Sequence, residues 1–241
     1  MNEYKPRSVF PPQFQILSGS ALKTLAMVTM LIDHIGAYLL MSRANTLKPL
    51  FTNGPTIYRL SRDVGRIAFP IFVFLLVEGA MHTRSRIRYA RNLLLFALIS
   101  EIPWNLVHTG TLQYAKQNVY FTLLLGYIGI CCIEQFKDQP WFQVLGVLAL
   151  LWISTRLNAD YGWKGFIFIL IMYWFRYEKV AQAIGGSCWL SYEWKACFAF
   201  IPINMYNGER GFIKGNLKYV FYFFYPVHIA ILYYLKYFVF V

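Results

Sequence analysis

Charge is scarce. Asp, Glu, Lys and Arg supply 14% of the 241 residues, where soluble domains carry roughly 25%. Acids are scarcer still, 11 against 23 Lys plus Arg, for a formal net charge of +12. So few charges cannot cover a chain that is 58% hydrophobic and 19% aromatic, with a mean hydropathy of +0.43, and that excludes a soluble globular domain. Cysteine is equally sparse. Cys131 and Cys132 are neighbours in an apolar run, Cys188 and Cys197 flank a Trp-rich stretch, and no Cys-x-x-Cys or Cys/His spacing occurs. This excludes a zinc site, and no metal is expected; the thiols read as small buried hydrophobes. The N-terminal MNEYKPRSVFPPQFQILSGS lacks the basic-then-apolar order of a cleavable signal peptide. Short segments of period-2 alternation are missing, which argues against an outer-membrane barrel, and there is no internal repeat.

What is present is apolar blocks long enough to cross a hydrocarbon layer at about 20 residues per helix. Bounded by charges, Pro or Gly, they predict spans at 21–41, 64–82, 90–108, 118–136, 140–157, 163–178, 182–203 and 217–239. The expected fold is all-α, a polytopic transmembrane bundle of about eight helices, range seven to ten, in a single integral membrane domain over 1–241 with a polar segment at 1–20. Gly185-Gly186, Glu193 and Lys195 interrupt the seventh span, which is expected to be broken or half-embedded, and the connection 42–63 has room for a re-entrant or interfacial piece. Lys and Arg total ten on the N-terminal side and eleven opposite, so totals do not orient the chain. The tightest cluster, Arg84, Arg86, Arg88 and Arg91 between the second and third spans, places the N-terminus in the cytoplasm. A multi-pass protein of the cytoplasmic membrane is expected. The basic excess points to anionic lipid headgroups as partners rather than nucleic acid.

A charge at mid-bilayer costs about 2.5–3.5 kcal/mol on insertion scales, so ionisable residues inside spans are functional candidates. Asp33 and His34 lie in LAMVTMLIDHIGAYLLM, Glu78 in FPIFVFLLVEGAMH, Glu101 in LLLFALISEIPW and His228 in FYFFYPVHIAILYYL. A neutral histidine in a bundle can take a proton from an attacking amine or hydroxyl. Adjacent helical residues point about 100° apart, so Asp33 need not touch His34 and acts through the field, a water or another helix. Packing is the competing reading. His228 is open between a structural role, satisfying a carbonyl freed by Pro226, and a functional one. Glu78 and Glu101 suit snorkelling or helix pairing, for instance with Arg91 or Arg66, as well as catalysis. Lys23 stands eleven positions before His34 on nearly the same face, about 16 Å away along the axis. Arg88 and Arg91, at i and i+3, present guanidiniums that clamp phosphate oxygens or bind lipid.

The blocks LKTLAMVTMLIDHIG (22–36), GRIAFPIFVFLLVEG (65–79) and FYPVHIAIL (224–232), with a looser DYGWKG (160–165), resemble the TraX family of integral membrane proteins. The family's named member acetylates the N-terminal amine of a pilin. More distantly the chain is similar to membrane acyltransferases that modify cell-surface sugars, in which a first-helix His follows a basic residue eleven positions upstream and an Arg-x-x-Arg pair opens the third helix. Lys23, His34, Arg88 and Arg91 occupy those places, with Lys in place of the usual Arg and its bidentate fork. The resemblance implies an acetyltransferase using acetyl-CoA as donor. In it His34 is the general base, Asp33 tunes the site, His228 positions acceptor or thioester, and Lys23, Arg66, Arg88 and Arg91 hold the donor's phosphates and pantetheine. Glu78 and Glu101 are further candidate polar groups. The expected acceptor is an amine or hydroxyl on a protein N-terminus or envelope glycan. Two other classes use polar residues inside spans: a transporter or permease, and a structural assembly factor of a pilus or envelope complex.

Overall fold

Ser18 decides where the first helix begins. Its hydroxyl accepts from the Ala21 amide at 3.3 Å and caps α1 (Gly19–Ile35), while the carbonyls of Glu209 and Arg210 take the amides of Gly19 and Ser20 at 2.8 and 3.0 Å. The first-turn donors of α1 are thus satisfied within the protein. The computed structural model describes residues 9–40, 54–212 and 217–239. Residues 1–8 of the polar N-terminal segment, 41–53 of the long connection, 213–216 and 240–241 lie outside the described residues.

The architecture is an all-α bundle. After α1 and a wider π-helical turn at Gly36–Leu40 come α2 (Gly54–Gly65), α3 (Ala68–His82), α4 (Arg86–Thr109), α5 (Val119–Gln135), α6 (Pro140–Leu157), α7 (Gly162–Trp174), α8 (Lys179–Trp189), α9 (Phe200–Asn204) and α10 (Leu217–Tyr234). Among the described residues no strand forms, only isolated bridges between Leu17 and Tyr206 and between Gln117 and Ala159. Gly19–Leu40, Thr56–His82 and Pro140–Leu157 are long and apolar enough to cross a membrane, and Val119–Gln135 and Gly162–Trp174 are shorter apolar helices. The protein is a helical membrane protein.

The chain gathers into two compact units. The first comprises Val73–Glu101 and Tyr114–Trp189. Its centre is the α5–α7 contact, where a side chain at Gly126 would overlap Ile169 and one at Gly129 would meet Phe166 at 3.1 Å. Small residues let the two backbones close, as membrane helices require when lipid tails offer no hydrophobic drive. Phe166, Phe168, Ile169 and Met172 of α7 are fully buried there. By contrast α6 turns Trp141, Leu145, Leu148 and Trp152 outward, an apolar face suited to lipid. Between them Asn158 and Tyr161 adopt left-handed φ values of 52° and 62°. In that turn Asp160 pairs with Lys116 at 2.8 Å and its carbonyl accepts from Thr122.

The second unit comprises Phe10–Phe72, Ile102–Gln113 and Leu190–Val241. Here α2 lies against α1 through two glycines: a side chain on Gly36 would overlap Ser61, and one on Gly65 would overlap Asp33. Three ion pairs fasten α2 and the turn that follows it, Arg62 to Asp33 at 2.7 Å, Arg66 to Glu193 at 3.2 Å and Asp63 to Lys195 at 2.5 Å. Where a span is expected over 182–203, α8 ends at Trp189 and Leu190–Ala199 winds as a tighter 3-10 turn with Glu193 at φ −130°, ψ 53°. The break turns Glu193 and Lys195 toward charges on α2 and the turn that follows it, since an unpaired charge away from water is far more costly than a distorted turn. At the C-terminal end of α4, Lys236 donates to the Val107 carbonyl at 2.8 Å, satisfying one of the acceptors a helix end leaves bare.

Candidate active site

The second unit holds the polar cluster, which is built on α1 and its π turn. Asp33 and His34 are sequence neighbours that diverge, as a 100° step per residue requires. Asp33 faces α2, where its Oδ2 accepts from Arg62 Nη1 at 2.7 Å. His34 faces α10, where its Nδ1 lies 2.7 Å from His228 Nε2. The two rings are nearly coplanar, with an interplanar angle of 10° and centroids 5.0 Å apart.

Hydrogen-bond chemistry fixes the direction of that contact. His228 Nδ1 sits 2.7 Å from the Phe224 carbonyl, and a carbonyl only accepts, so the proton of the neutral His228 ring is on Nδ1. Nε2 of His228 is then an acceptor, and His34 must donate from Nδ1. That leaves the lone pair of a neutral His34 on Nε2, which no described residue engages. His228 is 5% exposed. The carbonyl it uses belongs to the residue four before it; the one deprived of its amide partner by Pro226 is that of Tyr222. The bond to Phe224 is thus the structural role open to His228, and the same ring performs a second one by setting the tautomer of His34.

Aromatic rings close around the pair. Tyr38, one turn beyond His34 and 8% exposed, lies with its ring centroid 5.5 Å from that of His34. Its hydroxyl is 3.3 Å from His108 Nε2, and His108 Nδ1 is 2.7 Å from the Trp104 carbonyl. Tyr225 packs edge-on to both His34 and His228, with centroids at 6.2 and 5.7 Å. Tyr38, Trp104, His108 and Tyr225 were not singled out by sequence reasoning. His108 reads as the last residue of a span, and the only signal for Tyr38 is its i+4 spacing from His34.

The other predicted residues divide between the units. Lys23 lies on α1 with its Nζ 5.3 Å from the Phe221 ring centroid, in the electrostatic field of Arg210. Arg66 is engaged by Glu193. Arg88 and Arg91 are exposed at the start of α4 in the first unit and make no ion pair among the described residues. Glu78 and Glu101, also in the first unit, pair with neither Arg91 nor Arg66. Glu78 interacts with His82, whose Nδ1 also donates to its carbonyl at 2.8 Å, and with Lys179. Glu101 accepts from the Asn118 side chain at 2.5 Å and from its backbone amide at 3.3 Å. Asn118 also caps α5 through Tyr120, so Glu101 secures a helix start. No three His, Cys, Asp or Glu residues among those described gather as a metal site. The thiols are only partly the small buried groups expected: Cys131, Cys132 and Cys197 are half-buried and Cys188 is exposed.

Comparison with known proteins places these residues in a lineage. The family model described as "TraX protein" matches residues 18–236. The chain is 29% identical to the "Probable fimbrial assembly protein FimC, serogroup H1" of Dichelobacter nodosus, over 89% of this chain and 94% of that protein. It is 26% identical to an uncharacterized protein of Rickettsia prowazekii (strain Madrid E), over 66% of this chain and 56% of the relative. No solved structure matches.

Proposed function

This chain belongs to the TraX family, and on that premise we propose that it is an acetyltransferase of the cytoplasmic membrane, moving an acetyl group from acetyl-CoA to an amine or hydroxyl. The observation that carries the proposal is the 2.7 Å contact between His34 Nδ1 and His228 Nε2, from which the tautomer of His34 follows. With Nδ1–H held by His228 at 2.7 Å, the Nε2 lone pair is presented as a general base. An acceptor amine or hydroxyl gives its proton to Nε2 as it attacks the acyl carbon. His228 is the positioning residue, and Asp33 acts at one remove by binding Arg62 and seating α2 against α1. The surrounding rings of Tyr38, Trp104 and Tyr225 exclude water from a reactive acyl group. Lys23 and Arg210, neighbours at the start of α1, are the cations for the donor's phosphates. Arg88 and Arg91 are assigned to the donor by their motif alone. The fimbrial name of the Dichelobacter relative favours a pilus subunit as acceptor, with an envelope glycan as the alternative.

A second reading, a structural assembly factor, draws on the three ion pairs of α2 and the turn that follows it, which look like devices for fixing helix packing. One experiment separates the two. Purified protein in detergent is expected to gain thermal stability from acetyl-CoA. It is also expected to transfer labelled acetyl to an envelope fraction from cells lacking the chain. His34→Ala should keep the stabilisation and lose the transfer. Absence of stabilisation by millimolar acetyl-CoA, or of transfer by the wild-type protein, would defeat the enzyme reading, and unchanged transfer by His34→Ala would defeat the assignment of His34 as its base.

A further inference from the structure

Two histidines in the second unit repeat one arrangement. His228 and His108 each donate Nδ1–H to the carbonyl four residues earlier, Phe224 and Trp104, both at 2.7 Å. Each therefore offers Nε2 as an acceptor, and each receives a donor from the first helix and its π turn. His34 Nδ1 gives to His228 at 2.7 Å, and the Tyr38 hydroxyl gives to His108 at 3.3 Å. The first pair leaves a base. The second has the order of an activated nucleophile: a hydroxyl, a histidine nitrogen within reach of its proton, and a third group orienting that histidine. A π-helical turn, a feature frequent at functional sites, carries Tyr38 at Gly36–Leu40.

We propose that Tyr38 is the nucleophile of a two-step transfer and carries the acetyl group as an aryl ester between donor and acceptor. The proposal rests on acetyl-CoA being the donor. In the first step Tyr38 Oη attacks the thioester carbonyl carbon while its proton passes to His108 Nε2. The tetrahedral adduct collapses with cleavage of the C–S bond. Its electron pair goes to sulfur, which takes the proton from His108, leaving acetyl-Tyr38 and free coenzyme A. The direction follows from basicity. A thiol of pKa about 8.5 leaves ahead of a phenol of about 10. In the second step the acceptor attacks the ester carbonyl and His34 Nε2 takes its proton. The C–O bond to Tyr38 breaks, and the departing phenolate recovers that proton from His34. Phenolate is a far weaker base than an alkoxide or an amide anion, so collapse again runs toward product.

The test needs no acceptor. Full-length protein in detergent is given acetyl-CoA and isotopically labelled coenzyme A, and label exchange is followed together with the mass of the Tyr38 peptide. Exchange is expected, with one hydroxylamine-labile acetyl group on Tyr38. Tyr38→Phe and His108→Gln should lose both while still being stabilised by acetyl-CoA. His34→Ala should retain exchange and accumulate acetyl-Tyr38. Exchange that persists in Tyr38→Phe overturns the proposal. So does a wild-type protein that binds acetyl-CoA and acetylates envelope material without exchange or acetyl-Tyr38. A protein that fails to bind acetyl-CoA at all removes the donor assignment and this inference with it.

Discussion

Replacing His228 tests whether its role is to hold a tautomer or to fill space. His228→Phe keeps a ring of similar size among Phe224, Tyr225 and His34 but removes the acceptor 2.7 Å from His34 Nδ1. His228→Gln packs worse, yet its amide oxygen can accept the same proton. Leaving a buried donor unmade costs about 1–3 kcal/mol, and at about 1.4 kcal/mol per factor of ten in rate this predicts a loss of kcat of about 5- to 140-fold for His228→Phe. The loss should fall short of the about 10⁴-fold seen when a serine-protease triad loses its aspartate, because a neutral imidazole adds no charge stabilisation. His228→Gln should lose less than about tenfold by the same conversion, and KM for acetyl-CoA should stay put in both. The assay is initial-rate incorporation of labelled acetyl into envelope material. A packing role predicts the opposite order, Phe above Gln. That order, or wild-type kcat in His228→Phe, would refute the assignment. A loss in His228→Phe as complete as in His34→Ala would make His228 itself the base.

Two further outcomes concern stability alone. Gly65→Ala would drive a methyl into the Asp33 side chain and part α2 from α1; overpacking of this kind costs about 1–3 kcal/mol, seen as a lower unfolding temperature in detergent, and an unchanged midpoint would show that the helices do not close there. Asn118→Ala removes the cap of α5 and the partner of Glu101, a combined cost of about 2–4 kcal/mol that Asn118→Asp should not relieve, since it sets a carboxylate against Glu101; rescue by Asp would contradict this.

The membrane class and the all-α fold were legible because burial in lipid writes itself as long apolar runs, whereas α2, with its Arg59, Arg62 and Asp63, falls in the connection between two such runs. The helix break at Glu193 was legible as well, since Gly185-Gly186, Glu193 and Lys195 interrupt a run that otherwise would cross. Partners were not legible. His34 and His228 are marked one by one by their rarity, but nothing in the chain says that residues 194 positions apart meet at 2.7 Å. Helix geometry already separates Asp33 from His34 by about 100°, but it does not name Arg62 as the group Asp33 meets instead. Tyr38, Trp104 and Tyr225 were hidden for the opposite reason: in a chain with 18 Tyr and 7 Trp, one more aromatic carries no signal.

The fate of the acids bears on how the site handles a proton. Asp33 is held by Arg62, Asp63 by Lys195, Glu193 by Arg66 and Asp160 by Lys116, while Glu134 takes the Tyr173 hydroxyl and Arg176. No carboxylate among the described residues bonds to His34 or His228. A serine-protease histidine keeps its positive charge beside an aspartate; the His34 imidazolium has a neutral imidazole instead. In a low dielectric such a cation is costly, and sharing the proton with His228 spreads the charge without cancelling it. The pair therefore favours a proton that arrives and leaves within one collapse. A phenolate departing from Tyr38, on the same helix one turn away, is an anion that appears as the imidazolium forms. In the two-step transfer each departing anion meets an imidazolium of its own, the thiolate that of His108 and the phenolate that of His34, and neither cation outlives the collapse that forms it.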